Sequence, residues 1–189
     1  LQVEVRQNLF SKDELFQRAY ARNQIAKRTG ADIVWFADAD YLFGGGCLDS
    51  LVSICRLGFP TPLVYPRIVQ IHTSHEIGDK ETATIVLGEV FTHNPELYVP
   101  LRVTRAIGGL QIVSGTLAKK GYLDGRLGSR PANGATDFLN TFSDVTYWKK
   151  IAGPNMQGMK DIQLPNLYRM RHSKSAFDVR DRFRYAKKI

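Results

Sequence analysis

Two acidic residues at a two-residue spacing are the first feature of this chain that could do chemistry. Asp38 and Asp40 follow directly on the apolar run Ile33-Val34-Trp35-Phe36-Ala37. Side chains at i and i+2 on an extended segment point the same way. Both carboxylates would therefore project from the carboxyl end of a strand, the place where open α/β sheets bind ligands. Two acids that close repel each other unless a cation or strong donors lie between them. A hard divalent ion such as Mg²⁺ or Mn²⁺, shared with phosphate oxygens, removes that repulsion. The same pair can also cap a turn, and an Asp-x-Asp triplet alone does not separate the two roles. Among the histidines, His72 and His75 have no Cys or carboxylate partner at zinc-ligand spacing, and His93 has no visible partner.

The elements that must position the aspartates follow from local pattern. Leu1 to Arg6 alternates like a strand, and Ser11-Lys12-Asp13-Glu14 forms a capping box flanked by Phe10 and Leu15 as a staple. A helix then runs to about Arg28 and stops at Thr29-Gly30. Residues 31–37 read as a strand buried on both faces. Gly44-Gly45-Gly46 precedes a helix from about Cys47 to Leu57, closed by Gly58 and Pro60, and Leu63 to Val69 is the next strand. This alternation is that of an α/β sheet with parallel crossovers. From about Gln70 to Val103 the pattern is poor, a variable excursion with one helix near Lys80 to Val90. A glycine-entered strand over 108–115, a short helix over 116–120 and a Gly-, Pro- and Asn-rich loop over 125–134 come next. A helix around Asp144 to Ile151 and a strand near Ile162 to Leu164 follow.

The chain has 189 residues, 43% hydrophobic and 23% charged, enough for one domain with a real core and against a disordered polymer. Its longest apolar stretch is five residues, far short of the roughly 20 that span a bilayer as a helix. Cys47 and Cys55, eight apart on one helix, are about 12 Å apart at ~1.5 Å per residue and cannot bridge. Reduced cysteines and the lack of a signal or transit peptide at Leu1-Gln2-Val3-Glu4 make a cytoplasmic protein the expectation. Leu1 is not Met and starts like a strand already in progress, so an upstream portion is expected. The net charge of +8 is uneven: residues 168–189 hold eight Lys or Arg against two Asp, a net +6. Such an end suits phosphates, whether of a sugar nucleotide or an acidic membrane surface, and is equally a solvated helix. No RNA-binding aromatic signature or zinc-finger spacing accompanies it, so nucleic acid is not expected.

Several blocks together resemble one family. Ala21-Arg22-Asn23 followed by Gly30 to Asp40 resembles the middle of a GT-A nucleotide-sugar glycosyltransferase of the family 2 type. Gly108-Gly109 through Gly121-Tyr122-Leu123-Asp124 is similar to that family's second block. Ser143-Asp144 stands where the family has Glu-Asp, and Leu164 to His172 resembles its closing strand and histidine. The resemblance implies an open, mostly parallel mixed sheet flanked by helices, partial at the N-terminus, in a single domain over 1–189. It implies transfer of a sugar from a nucleotide diphosphate donor, UDP-linked by preference, to a hydroxyl of a glycan or other acceptor. In that reading Asp38, Asp40 and His172 hold Mn²⁺ or Mg²⁺, and Asp38 also reaches the donor. Arg22, Asn23, Gly108, Gly109, Arg169 and Arg171 lie along the donor, and Asp144 is the base, with Asp137 as second choice. Inversion is the preferred outcome, although polypeptide-sugar transferases with a similar Gly-Gly block retain configuration.

Two departures bear on this. Ser143 replaces the usual Glu, and the family's first strand, with its base-binding loop, has no counterpart before Leu1. Each candidate residue also has an ordinary role: Asp144 as a helix cap, His172 as a surface histidine, and Trp148, the alternative to a sugar-stacking platform, as core. Two further classes stay open. One is a catalytically inactive sugar-nucleotide or polysaccharide binding module of this fold. The other is a protein that binds nucleic acid or a membrane surface through its basic end.

Overall fold

The computed structural model describes residues 8–11, 18–38, 40–73, 93–106, 108–122, 143–153 and 155–170. Helix α1 covers Arg18–Arg28, and strand β1 covers Ile33–Phe36. Strand β2 (Tyr41–Phe43), helix α2 (Cys47–Arg56), β3 (Leu63–Pro66) and β4 (Ile68–His72) follow. A 3-10 turn, Pro95–Leu97, leads into β5 (Tyr98–Arg102). Then come β6 (Gln111–Ser114), the one-turn α3 (Gly115–Ala118), α4 (Ser143–Ala152), β7 (Met159–Ile162) and β8 (Leu167–Arg169). The strand expected over residues 1–6, most of the capping box, the helix near 80–90 and the 125–134 loop lie outside the described residues.

The class is α/β, with two mixed four-stranded sheets in the orders β1-β6-β3-β7 and β2-β8-β4-β5. The expected mostly parallel sheet is not what forms among the described residues. Only β3–β7 and β4–β8 pair in parallel; the other four pairings are antiparallel. In the first sheet the cause is β6, which enters between β1 and β3 in the reverse direction, and in the second β2–β8 and β4–β5 oppose each other. A short apolar run carries no mark of direction, because its periodicity reads the same both ways. Since β6 opposes both neighbours, β1 and β3 run alike and end at the same edge of the first sheet.

The strand expected over Leu63 to Val69 is two strands in two sheets. Pro66 ends β3, having no N–H to extend a ladder. Arg67 N donates to Ile162 O at 2.7 Å, its own carbonyl accepts from Val103 N at 2.9 Å, and the chain enters the second sheet. The excursion from Gln70 also proves ordered at both ends, where β4 and β5 pair from Ile68↔Arg102 to His72↔Tyr98. Strand β1 differs too: Ile33, Val34 and Trp35 are half-buried and only Phe36 is buried. An outer position in the described sheet explains why one strand is not enclosed on every side.

Core packing follows strand alternation. Phe36, Leu63 and Val113 turn to a cluster with Ala19 and Ala26 of α1 and with Tyr147 and Trp148 of α4. Val64 and Ile112 turn to the other cluster, with Cys47 and Leu51 of α2 and Val69 and Leu167 of the second sheet. Helix α2 matches its expected span to within one residue because left-handed glycines bound it, Gly46 at φ +79 and Gly58 at φ +101. Among the described residues, no helix is long and apolar enough to cross a membrane.

Both cysteines are free thiols, and burial pushes Cys47 up to about 11. The less buried Cys55 should therefore be alkylated ahead of Cys47 at pH 8, as peptide mapping would read out. Gly115 joins β6 to β1's approach, its N–H donating to Asp32 O at 2.7 Å. A Cβ there would run into the Ala31 carbonyl. Gly115→Ala should cost about 1–3 kcal/mol in urea unfolding, and an unchanged midpoint would show that this close approach is not needed.

Candidate functional site

Asp38 lies just past β1, and Asp40 opens the turn into β2, so the pair stands where the chain leaves one sheet for the other. Asp40 is buried, and both its main chain and its side chain are tied to β8. Its carbonyl accepts from Met170 N at 2.8 Å, and its Oδ2 accepts from Arg169 Nε at 2.9 Å. The β2–β8 register, Tyr41↔Arg169, sets this pairing, and the Arg169 guanidinium lies 5.5 Å from the Tyr41 ring centre. Burial pulls Arg169 down, yet Tyr41, the hydrogen bond from Arg169 to Asp40 and the charges of Asp40 and Asp38 outweigh it and leave Arg169 raised. Burial, assisted by the charges of Asp40 and Asp38 against that of Arg169, also holds the Tyr41 hydroxyl protonated well above its usual range.

Asp38 is held from the opposite side. Its Oδ1 accepts from Arg22 Nη2 at 2.8 Å, with 12% and 27% of the two side chains exposed. Arg22 Nη1 donates to the Tyr122 hydroxyl at 3.0 Å, and that hydroxyl donates to Gln111 Oε1 at 2.8 Å. Gln111 Nε2 in turn reaches Ala106 O at 3.2 Å. Tyr122 and Gln111 are fully buried, and Tyr122 stacks on Tyr147 of α4 with ring centres 4.2 Å apart. A continuous polar chain thus runs from Asp38 through α1 into the first sheet.

The Gly-Gly block meets the same point. A Cβ on Gly109 would lie 2.5 Å from Asp38 N and 2.7 Å from Tyr41 Cε2. Gly108 has φ +57, and a Cβ there would come 3.6 Å from Asp38 Oδ2. Trp35 Nε1 donates to Gly109 O at 2.8 Å and fixes the block on β1. At Gly109 only backbone without a side chain can sit this close to Asp38, and at Gly108 it is the left-handed backbone that calls for glycine.

The fold therefore brings Arg22, Asp38, Asp40, Gly108, Gly109 and Arg169 together. Asn23 is buried, with its Oδ1 against the Gly121 turn, where a Cβ would lie 2.9 Å away. Asp144 sits in the first turn of α4, one turn before Tyr147; its side chain is outside the described residues. His172, Arg171, Asp137 and the basic end beyond Met170 are likewise outside them. Trp148 is buried in the core rather than offered as a stacking platform.

Tyr122, Gln111 and Tyr41 are positioning residues that motif reading misses. Gln111 carries a signal, an amide in the apolar run Leu110-Gln111-Ile112-Val113 that a buried strand must satisfy. Tyr122 carries none that points 100 residues back to Arg22.

As a metal site the described residues supply two carboxylates, and no group of three or more His, Cys, Asp or Glu is assembled among them. That donor set does not make a closed protein cage. It fits a hard ion that keeps waters and is shared with substrate phosphates. The arginines engage one oxygen of each carboxylate, Oδ1 of Asp38 and Oδ2 of Asp40. The glycine backbone beside Asp38 Oδ2 adds no side chain to block approach. Compared with family models, curated proteins and solved structures, the chain matches none.

Tyr122→Phe removes the hydroxyl that links Arg22 to Gln111, taking one hydrogen bond from the part-buried guanidinium and one from the buried amide oxygen. It should cost about 1–3 kcal/mol in denaturant unfolding. A loss below a few tenths would show that the chain of bonds does not hold Arg22.

Proposed function

We propose that this chain is a metal-dependent glycosyltransferase domain of the GT-A type, moving a sugar from a nucleotide diphosphate to a hydroxyl acceptor. The observation that carries the reading is the convergence of the Asp-x-Asp pair, Arg22, Arg169 and the Gly108–Gly109 backbone at one crossing between sheets. They come from three of the four blocks of the resemblance: Arg22 and the aspartates from the first, Gly108–Gly109 from the second and Arg169 from the last. Asp38 and Asp40 are the residues that would hold Mn²⁺ or Mg²⁺, with His172 as the expected third. A bound ion offsets charge on the departing diphosphate. Arg22 and Arg169 place two guanidinium groups beside that position, suited to phosphate oxygens by their planar forks.

The acceptor hydroxyl attacks the anomeric carbon as the bond to the diphosphate oxygen breaks. Asp144 takes the hydroxyl proton, and the sugar inverts. Its helix is tied to the site through Tyr147, Tyr122 and Arg22. Tyr122 and Gln111 keep Arg22 in place and touch no reacting atom in this reading.

One observation favours a second reading. Each aspartate is already balanced by an arginine, so the pair is compatible with burial without any cation. A binding module that keeps the fold and does not turn over would look the same.

Thermal unfolding with Mn²⁺ and a panel of nucleoside diphosphates tests the assignment. A ligand at about 100 times its dissociation constant adds roughly 2.7 kcal/mol, on the order of 5–10 °C for a domain of this size. The wild type should show that shift with one diphosphate, and Asp40→Asn should lose the Mn²⁺-dependent component. Asp144→Asn should keep the shift and lose transfer. A shift in the wild type without transfer to any acceptor would favour the binding module, and no shift at all would defeat the assignment of a metal-dependent sugar-nucleotide site to Asp38 and Asp40.

A further inference from the structure

A second polar site lies where the chain steps from β3 to β4. There a groove of about 530 Å³ is lined by Arg67, Ile68, Pro100, Arg102 and Asp161. Arg67 Nε donates to Asp161 Oδ2 at 2.7 Å, which fixes the plane of that guanidinium through one nitrogen. Neither Nη of Arg67 makes a hydrogen bond among the described residues, and the Arg102 guanidinium has neither a hydrogen-bond nor an ion-pair partner among them. Two guanidinium groups against one carboxylate leave the groove with a single positive charge to spare. Tyr65, whose hydroxyl donates to Thr104 O, stands within electrostatic reach of Asp161, Arg102 and Arg67 alike, so these groups form one cluster.

The remaining walls are apolar. Ile68 is 36% exposed on the strand position directly opposite Arg102, and Pro100 lies two residues along the same partner strand. Open guanidinium forks match a carboxylate or phosphate, and an apolar wall beside them suits the C–H face of a sugar ring. A small inorganic anion would use only the first of these.

The groove also has a fixed relation to the aspartates. Strands β1 and β3 run alike with β6 between them, so their carboxyl ends lie two strand spacings apart, about 10 Å. Asp38 follows one end and Arg67 the other. We propose that the Arg67–Arg102 groove binds an acidic sugar, a uronate or a sugar phosphate, as the acceptor-side subsite of this domain. Only the word acceptor rests on the glycosyltransferase reading; the binding itself does not.

The test is calorimetric or NMR titration of the chain with glucuronate, a hexose phosphate, neutral glucose and inorganic phosphate. At least one acidic sugar should bind, and glucose should bind at least about tenfold more weakly. Arg102→Gln should weaken the acidic sugar about tenfold or more, the loss of one charge-assisted contact. The Arg102 side chain forms no bond that the fold requires, and an unchanged melting temperature checks this. Whether glucuronate or the hexose phosphate binds names the anionic group. Glucose binding as well as the acidic sugars, inorganic phosphate binding as tightly as they do, or indifference to both Arg102→Gln and Arg67→Gln would each overturn the proposal. Asp40→Asn should leave this binding intact, so sugar binding without a Mn²⁺-dependent shift would retain the groove and discard the enzyme.

Discussion

A buried carboxylate facing a guanidinium is the constraint on which the rest of the structure turns. Asp40 is only 8% exposed, and a charge so placed is costly unless paired and hydrogen-bonded. Arg169 supplies the pair, and the Met170 amide binds the same residue's carbonyl. Because β8 provides Arg169 and the residue directly after it provides the amide, the β2–β8 pairing and the neutralisation of Asp40 are one event. Replacing the pair with apolar residues could leave stability unchanged, as for many buried ion pairs. Its value here is positional, since it fixes where the first aspartate stands relative to the second.

Asp38 is fixed by different means. Arg22 reaches it from a helix, and Tyr122 and Gln111 hold Arg22 from beneath. The glycines complete the enclosure by bringing main chain, rather than side chain, against the carboxylate. One aspartate is thus anchored to the second sheet and the other to the first sheet and its helix. The gap between them is set by the fold as a whole.

Much of this is legible along the chain, and the rest is not, for physical reasons. Helix α2 is readable because glycines at both ends take conformations that stop a helix. Asp38 and Asp40 stand out because acids directly after an apolar run are costly without a purpose. Strand direction is not readable, because nothing in Gln111 to Ser114 marks it as running against both neighbours. Nor can local pattern show that Pro66 and Arg67 divide a single apolar stretch between two sheets. Tyr122 reads locally as a turn residue, since its bond to Arg22 exists only once the sheet has formed.

The order in which strands join the two sheets has a further consequence. In chain order β1 lies in the first sheet, β2 in the second, β3 in the first, β4 and β5 in the second, β6 and β7 in the first, and β8 in the second. Neither sheet is a contiguous piece of polypeptide, so neither can open while the other stays closed without pulling on the segments between them. The two sheets therefore make one cooperative unit, and amide exchange in the interiors of both should report a shared opening free energy.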